Sequence, residues 1–135
     1  MNNAEIGNKG EAIACEYLTS KNYKIIATNY FLKTLTGKKI GEVDIIAKNK
    51  DVYIFIEVKS SLYVKNMDSF FCLERRVGKR KAGKIITVAR NWISVNIKKP
   101  DSVKYQIDVI GVIIQDGNAK IIHLENTFED KNFNN

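Results

Sequence analysis

Histidine occurs once in these 135 residues, at His123, and that scarcity excludes several chemistries together. A single imidazole leaves most zinc sites short of ligands, and histidine acid–base catalysis and Ser-His-Asp hydrolysis are not expected. Cysteine occurs twice. Cys15 stands among helix formers and Cys72 beside Phe71, so two packed free thiols are expected and a disulfide is not. No apolar run approaches the length of a membrane span, and Met1-Asn2-Asn3-Ala4-Glu5 lacks the basic-then-apolar layout of a secretion signal. The expectation is a cytoplasmic protein with no membrane association.

The net charge is unevenly distributed. From Arg75 to Pro100 there are nine Lys or Arg and no Asp or Glu, while the remainder carries 13 basic against 15 acidic residues. One segment therefore holds the whole of the +7 net charge. A phosphate-binding face would look like this, and so would a solvated helix that merely aids solubility.

What is present suffices for one globular domain over residues 1–125, since 44% of the chain is hydrophobic, with a polar tail over 126–135. Ile6, Gly10, Ile13, Ala14, Tyr17 and Leu18 recur at helical spacing and predict a helix over 6–21. Glu11 falls on the shoulder of that stripe. Residues 23–30 predict a first strand, and Ile40–Ala47 with Val52–Lys59 a hairpin. The stretch 60–74 has no period and reads as a loop or partner surface. A second helix lies within 77–97, with Ile85, Val88, Ala89, Trp92 and Ile93 as its apolar stripe and Lys81 on it. Residues 105–115 and 120–124 predict two more strands joined at Asp116-Gly117-Asn118, and Asp108 lies on the strand face opposite Ile107 and Val109.

The hairpin carries the chemistry. An even connector, Lys48-Asn49-Lys50-Asp51, would pair Ala47 with Val52, Asp44 with Phe55 and Glu42 with Glu57. Opposite residues share a face, which puts Asp44, Glu57 and Lys59 together. Val52, Ile54, Ile56 and Val58 fill the other face, and Tyr53 and Phe55 partly cover the charged one. Like charges in a semi-enclosed setting are costly without a cation or substrate, and two carboxylates beside an ammonium suit a hard divalent ion. Solvent-facing residues with an Asp–Lys ion pair are the bland alternative.

Taken in order, Glu11 on a helix, Asp44, Glu57-x-Lys59 and a basic helix resemble the active-site layout of the PD-(D/E)XK, restriction-endonuclease-like superfamily. More narrowly, Gly7-x-x-Gly10-Glu11-x-x-Ala14-x-x-Tyr17-Leu18, Asn29-Tyr30, Gly41-Glu42-Val43-Asp44-Ile45-Ile46-Ala47, Ile56-Glu57-Val58-Lys59 and Lys81-x-x-Lys84-Ile85-x-x-x-Ala89 resemble the bacterial YraN-like family. That family is described as predicted nucleases akin to archaeal Holliday junction resolvases. The resemblance spans residues 6–115. It departs at Ser60-Ser61, where a basic residue is usual, at Ala82 in place of glutamine, and at Gln106 in place of arginine. No proline precedes Asp44, and the loop before Gly41 is longer than usual.

The resemblance implies an α/β fold in the order αβββαββ, a mixed, mainly antiparallel sheet flanked by helices. It implies metal-dependent hydrolysis of DNA phosphodiester bonds, with branched DNA among the substrates, RNA left open and a homodimer compatible. Asp44, Glu57 and the Val58 carbonyl would hold Mg²⁺ or Mn²⁺, Lys59 would act on the attacking water and Glu11 would complete the site. Arg75, Arg76, Lys79, Arg80, Lys81 and Lys84 would contact the nucleic acid. A nucleic-acid-binding module of the same fold with little cleavage, and an interaction protein with a structural polar face, are the alternatives.

Overall fold

In the computed structural model the described residues are 1–65 and 79–128. Arg75, Arg76, Cys72 and the greater part of the expected 60–74 loop lie outside them, as do 129–135 of the expected tail; Lys79, Arg80 and Lys81 are described as helix backbone alone.

Helix α1 spans Asn3–Ser20. Asn2 caps it by accepting the Glu5 N–H at 2.8 Å, and Asn22 ends it in the left-handed region at φ +68°, with the Tyr23 N–H returning to the Leu18 carbonyl. Strands β1 (Lys24–Lys33), β2 (Lys39–Asn49) and β3 (Val52–Leu62) follow, then helix α2 (Lys79–Asn96), a single 3-10 turn at Pro100–Ser102, and strands β4 (Lys104–Gln115) and β5 (Asn118–Phe128). The strands form one open sheet in the order β1-β2-β3-β4-β5. Every neighbouring pair is antiparallel except β3–β4, which is parallel and joined through the α2 crossover. The fold is thus the mixed, mainly antiparallel α/β architecture expected, in the order αβββαββ.

Each sheet face buries its own core. On one, Ala14 and Leu18 of α1 meet Ile45, Ala47, Ile54, Ile56 and Val58, continued by Ile110, Val112 and Ile114. On the other, Ile85, Val88, Ala89, Trp92 and Ile93 of α2 cover Val43, Ile46, Phe55 and Ile107. Trp92 sits 5.4 Å from Tyr53 and 5.9 Å from Phe55, ring centre to ring centre. No helix among the described residues is long and apolar enough to cross a membrane.

Three expectations need correction. The hairpin register is Asn49↔Val52, Ala47↔Ile54, Ile45↔Ile56, two residues away from the expected pairing. Lys50, at φ +57°, makes a two-residue turn with Asp51, so Lys48 and Asn49 remain in β2. Tight two-residue connections match the strand twist better than four-residue ones do. Ser60–Leu62 are strand, because β4 offers them parallel partners up to Leu62↔Ile114. Finally, β5 runs through the expected start of the tail to Phe128, which pairs with Ile107.

Candidate functional site

The β2–β3 ladder stops at Ile45↔Ile56, and the charged residues lie just beyond that point. Asn29 of β1 falls between the pairs Thr28↔Ile45 and Tyr30↔Val43, opposite Asp44, and takes the left-handed conformation at φ +52°. Asparagine tolerates that region better than most residues. Strict alternation breaks here: Val43 packs against α2 while Ile45 packs against α1. Asp44 therefore leaves the α2 face to which alternation assigned it and reaches into the opening between β2 and β3. There its Oδ2 accepts the Val58 N–H at 2.7 Å, in place of a β2 carbonyl. The carbonyl of a strand residue points to the same side as its N–H, so the Val58 carbonyl faces the same opening.

Glu57 is 3% exposed and its Oε1 lies 3.3 Å from the Lys59 ammonium. Burial, then the neighbouring Glu57 carboxylate, push the Asp44 carboxyl up to about 7, against the pull of the Val58 N–H. Glu11 reaches the same place from α1. Burial raises its carboxyl above the ordinary value, with Glu42 and Glu57 adding to the effect. The structure thus brings Glu11, Asp44, Glu57 and Lys59 together, along with Val58. Glu42, whose own ion pair is with Lys39 at 2.9 Å, contributes a fourth carboxylate close enough for Glu11 to feel.

Close packing sets this geometry. A Cβ built on Gly10 would lie 1.6 Å from Ser60 Oγ, so α1 seats directly on β3 one residue before Glu11. On the other face a Cβ at Gly41 would come within 3.1 Å of Val88 and 3.2 Å of Lys84 Cβ, which seats the exposed Lys84 over β2 three residues from Asp44. Between α1 and the end of β3 a cavity of about 580 Å³ opens, with Glu11, Asp44, Val58 and Lys59 in its lining.

The donor set fits a hard divalent cation. Glu11 Oε1 is buried and has no hydrogen-bond partner among the described residues, a state that a bound cation or a proton relieves. Carboxylate and carbonyl oxygens suit Mg²⁺ or Mn²⁺ better than zinc.

Sequence reasoning missed a second polar cluster. Asp108 is fully buried and accepts three hydrogen bonds: from Gln106 Nε2 at 2.9 Å, His123 Nε2 at 2.7 Å and the Asn126 N–H at 2.8 Å. The other imidazole nitrogen meets the Tyr17 hydroxyl of α1 at 3.0 Å. Asp108, His123 and Glu125 also place one ligand-type atom each within 4.8 Å of one another. The available signal was an Asp inside an apolar β-strand, in a chain whose lone histidine lies in the next strand.

The family model described as Uncharacterised protein family UPF0102 matches residues 10–112. A UPF0102 protein of Clostridioides difficile (strain 630) is 41% identical over 128 residues, covering 95% of this chain and all of that protein. One of Fervidobacterium nodosum is 38% identical over 130 residues, covering 93% and 86%, and one of Thermodesulfovibrio yellowstonii is 36% identical over 128 residues, covering 95% and 99%.

Proposed function

This chain belongs to the UPF0102 family, and from that premise we propose that it is a metal-dependent endonuclease of the PD-(D/E)XK type acting on DNA, with branched DNA among its substrates. The observation that carries the reading is the convergence of Glu11, Asp44 and Lys59 in the lining of one cavity, with Glu57 beside Asp44 and Lys59 and a buried Glu11 oxygen that a cation would satisfy.

Asp44, Glu57 and the Val58 carbonyl would hold Mg²⁺ or Mn²⁺, with Glu11 completing the donor set. A bound divalent ion supplies Lewis-acid stabilisation of the phosphate and a more acidic water. Lys59, held by Glu57, orients the attacking water and balances charge growing on the phosphoryl oxygens. Lys84 and the basic segment from Arg75 onward bind the backbone phosphates, Arg75, Arg76, Lys79, Arg80 and Lys81 among them. A cytoplasmic setting and a homodimer are compatible with this reading.

The test is incubation of the purified protein with linear, nicked, flapped and four-way-junction DNA in Mg²⁺, Mn²⁺ or EDTA. Cleavage is expected with either metal and none in EDTA. Lys59→Ala should lower the rate on the order of a hundredfold or more while barely changing affinity, because its ammonium is needed in the transition state. Tight binding without cleavage of any of these structures, unchanged in Lys59→Ala, would transfer the assignment to a nucleic-acid-binding module.

A further inference from the structure

The cavity extends past the carboxylates, and its far end has a different chemistry. On α1, Asn3, Gly7 and Glu11 follow one another at four-residue spacing along its wall. Moving toward the helix N-terminus from Glu11, and toward the end of β3 from Lys59, the lining passes through Ser60 and Ser61 to Ile6, Leu62 and Val64. Leu62 and Val64 are 42% and 61% exposed, apolar side chains only partly covered by the described residues.

Gly7 is the unusual member. Its φ is not in the left-handed region, and a Cβ built on it meets nothing within 4 Å, so neither conformation nor packing calls for glycine there. A glycine inside a helix is destabilising relative to alanine. What its bare backbone does is keep the cavity wall open.

We infer that this cavity receives one unpaired nucleotide of a DNA strand, its phosphate at the Lys59 end and its base against Ile6, Leu62 and Val64, with Gly7 left bare to admit it. The inference rests on the nuclease reading above and names the form of its substrate. At about 580 Å³ the cavity is within the usual range for a single small ligand and has no room for stacked base pairs. A nucleotide has the same division of chemistry as the lining, with a charged end, hydroxyl-bearing sugar and an apolar base face. Only an unpaired base offers that face, since a paired one keeps it stacked.

The test measures binding in Ca²⁺ to fluorescein-labelled oligonucleotides, single-stranded or fully paired with the same sequence, and follows 2-aminopurine fluorescence at one position. The single strand should bind at least ~tenfold more tightly than the duplex, the size of one base's contribution to single-strand affinity. The 2-aminopurine signal should change on binding only when that base is unpaired. Gly7→Phe should bring single-strand affinity down to the duplex level while the thermal midpoint still rises with Mg²⁺; Gly7→Ala should raise the midpoint and weaken single-strand affinity less than Gly7→Phe does. Leu62→Ser, at an exposed position, should weaken single-strand binding several-fold and guards against distortion of α1 by the phenylalanine. Equal affinity for the two forms, or a preference that survives both Gly7→Phe and Leu62→Ser, overturns the inference alone if Mg²⁺ still stabilises the protein and DNA is cut. Absence of any nucleic-acid binding and of any Mg²⁺ effect overturns the nuclease reading with it.

Discussion

Asp44 is the residue on which the site's chemistry turns, and its protonation has a measurable consequence. Its carboxyl goes from an ordinary 3.8 up to about 7, chiefly through burial and then the Glu57 charge. A group whose folded pKa is raised holds its proton more tightly when folded. Its contribution to stability is therefore complete below about 4 and disappears as pH rises through about 7. In EDTA the wild-type thermal midpoint should fall across that window, and Asp44→Asn should flatten the fall. A cation must displace the same proton, so the Mg²⁺-induced rise should be small at pH 5 and full at pH 8, about 2.7 kcal/mol at a hundredfold excess over Kd. Asp44→Asn and Glu57→Gln should each abolish it; an equal rise in both variants would remove the metal site. At His123 the expected effect is structural. His123→Ala removes one of three donors to the fully buried Asp108 and the partner of Tyr17, and should cost about 2 kcal/mol or more in urea denaturation. A loss under half of that would mean water replaces the imidazole.

At the scale of elements, the decisive contact is α1 against β3. Gly10 meets Ser60 so closely that any side chain there must push the helix away, and Glu11 is the next residue. Gly10→Ala should destabilise by about 1–3 kcal/mol, the usual cost of forcing atoms into a packed contact. It should also lower cleavage more than Asn3→Ala does, because Glu11 retreats from Asp44. Adding Ser60→Gly removes the atoms that clash and should restore both measurements. Failure of that double substitution to recover activity would detach Glu11 from the α1 seat. A second contact holds the helix nearer its C-terminus, Tyr17 on His123, so Glu11 lies between two anchors.

For the whole molecule, charge is distributed so that the carboxylates lie at the open end of β2 and β3 while the positive excess is concentrated between Arg75 and Pro100. On the proposed reading this arrangement pairs a cation-binding centre with a phosphate-binding segment. If that segment follows a nucleic-acid backbone, replacing Arg76, Lys79 and Arg80 with Ser should flatten the log–log dependence of affinity on salt by roughly one unit per lost contact. An unchanged slope would assign those charges to solvent and solubility.

Much of the architecture was legible in one dimension. The 3.6-residue stripe of α1, the stripe Ile85, Val88, Ala89, Trp92 and Ile93, and the alternation along Val52–Val58 each follow from local spacing, and burial follows the same pattern. Asp44, Glu57 and Lys59 were legible as a group in the hairpin, because charged residues inside apolar segments are conspicuous, and Glu11 joined them only through the family resemblance. Their mutual geometry was not legible. The two-residue register difference depends on turn conformation at Lys50, and the turn of Asp44 into the opening depends on a left-handed residue in a different strand, Asn29. Asp108 and His123 meet through a strand pairing with an irregularity that no period announces. Spacing along the chain determined which residues are buried and which face they share; only packing between elements decided where the faces are interrupted, since a kink, a glycine seat and a terminated ladder are each made by two segments at once.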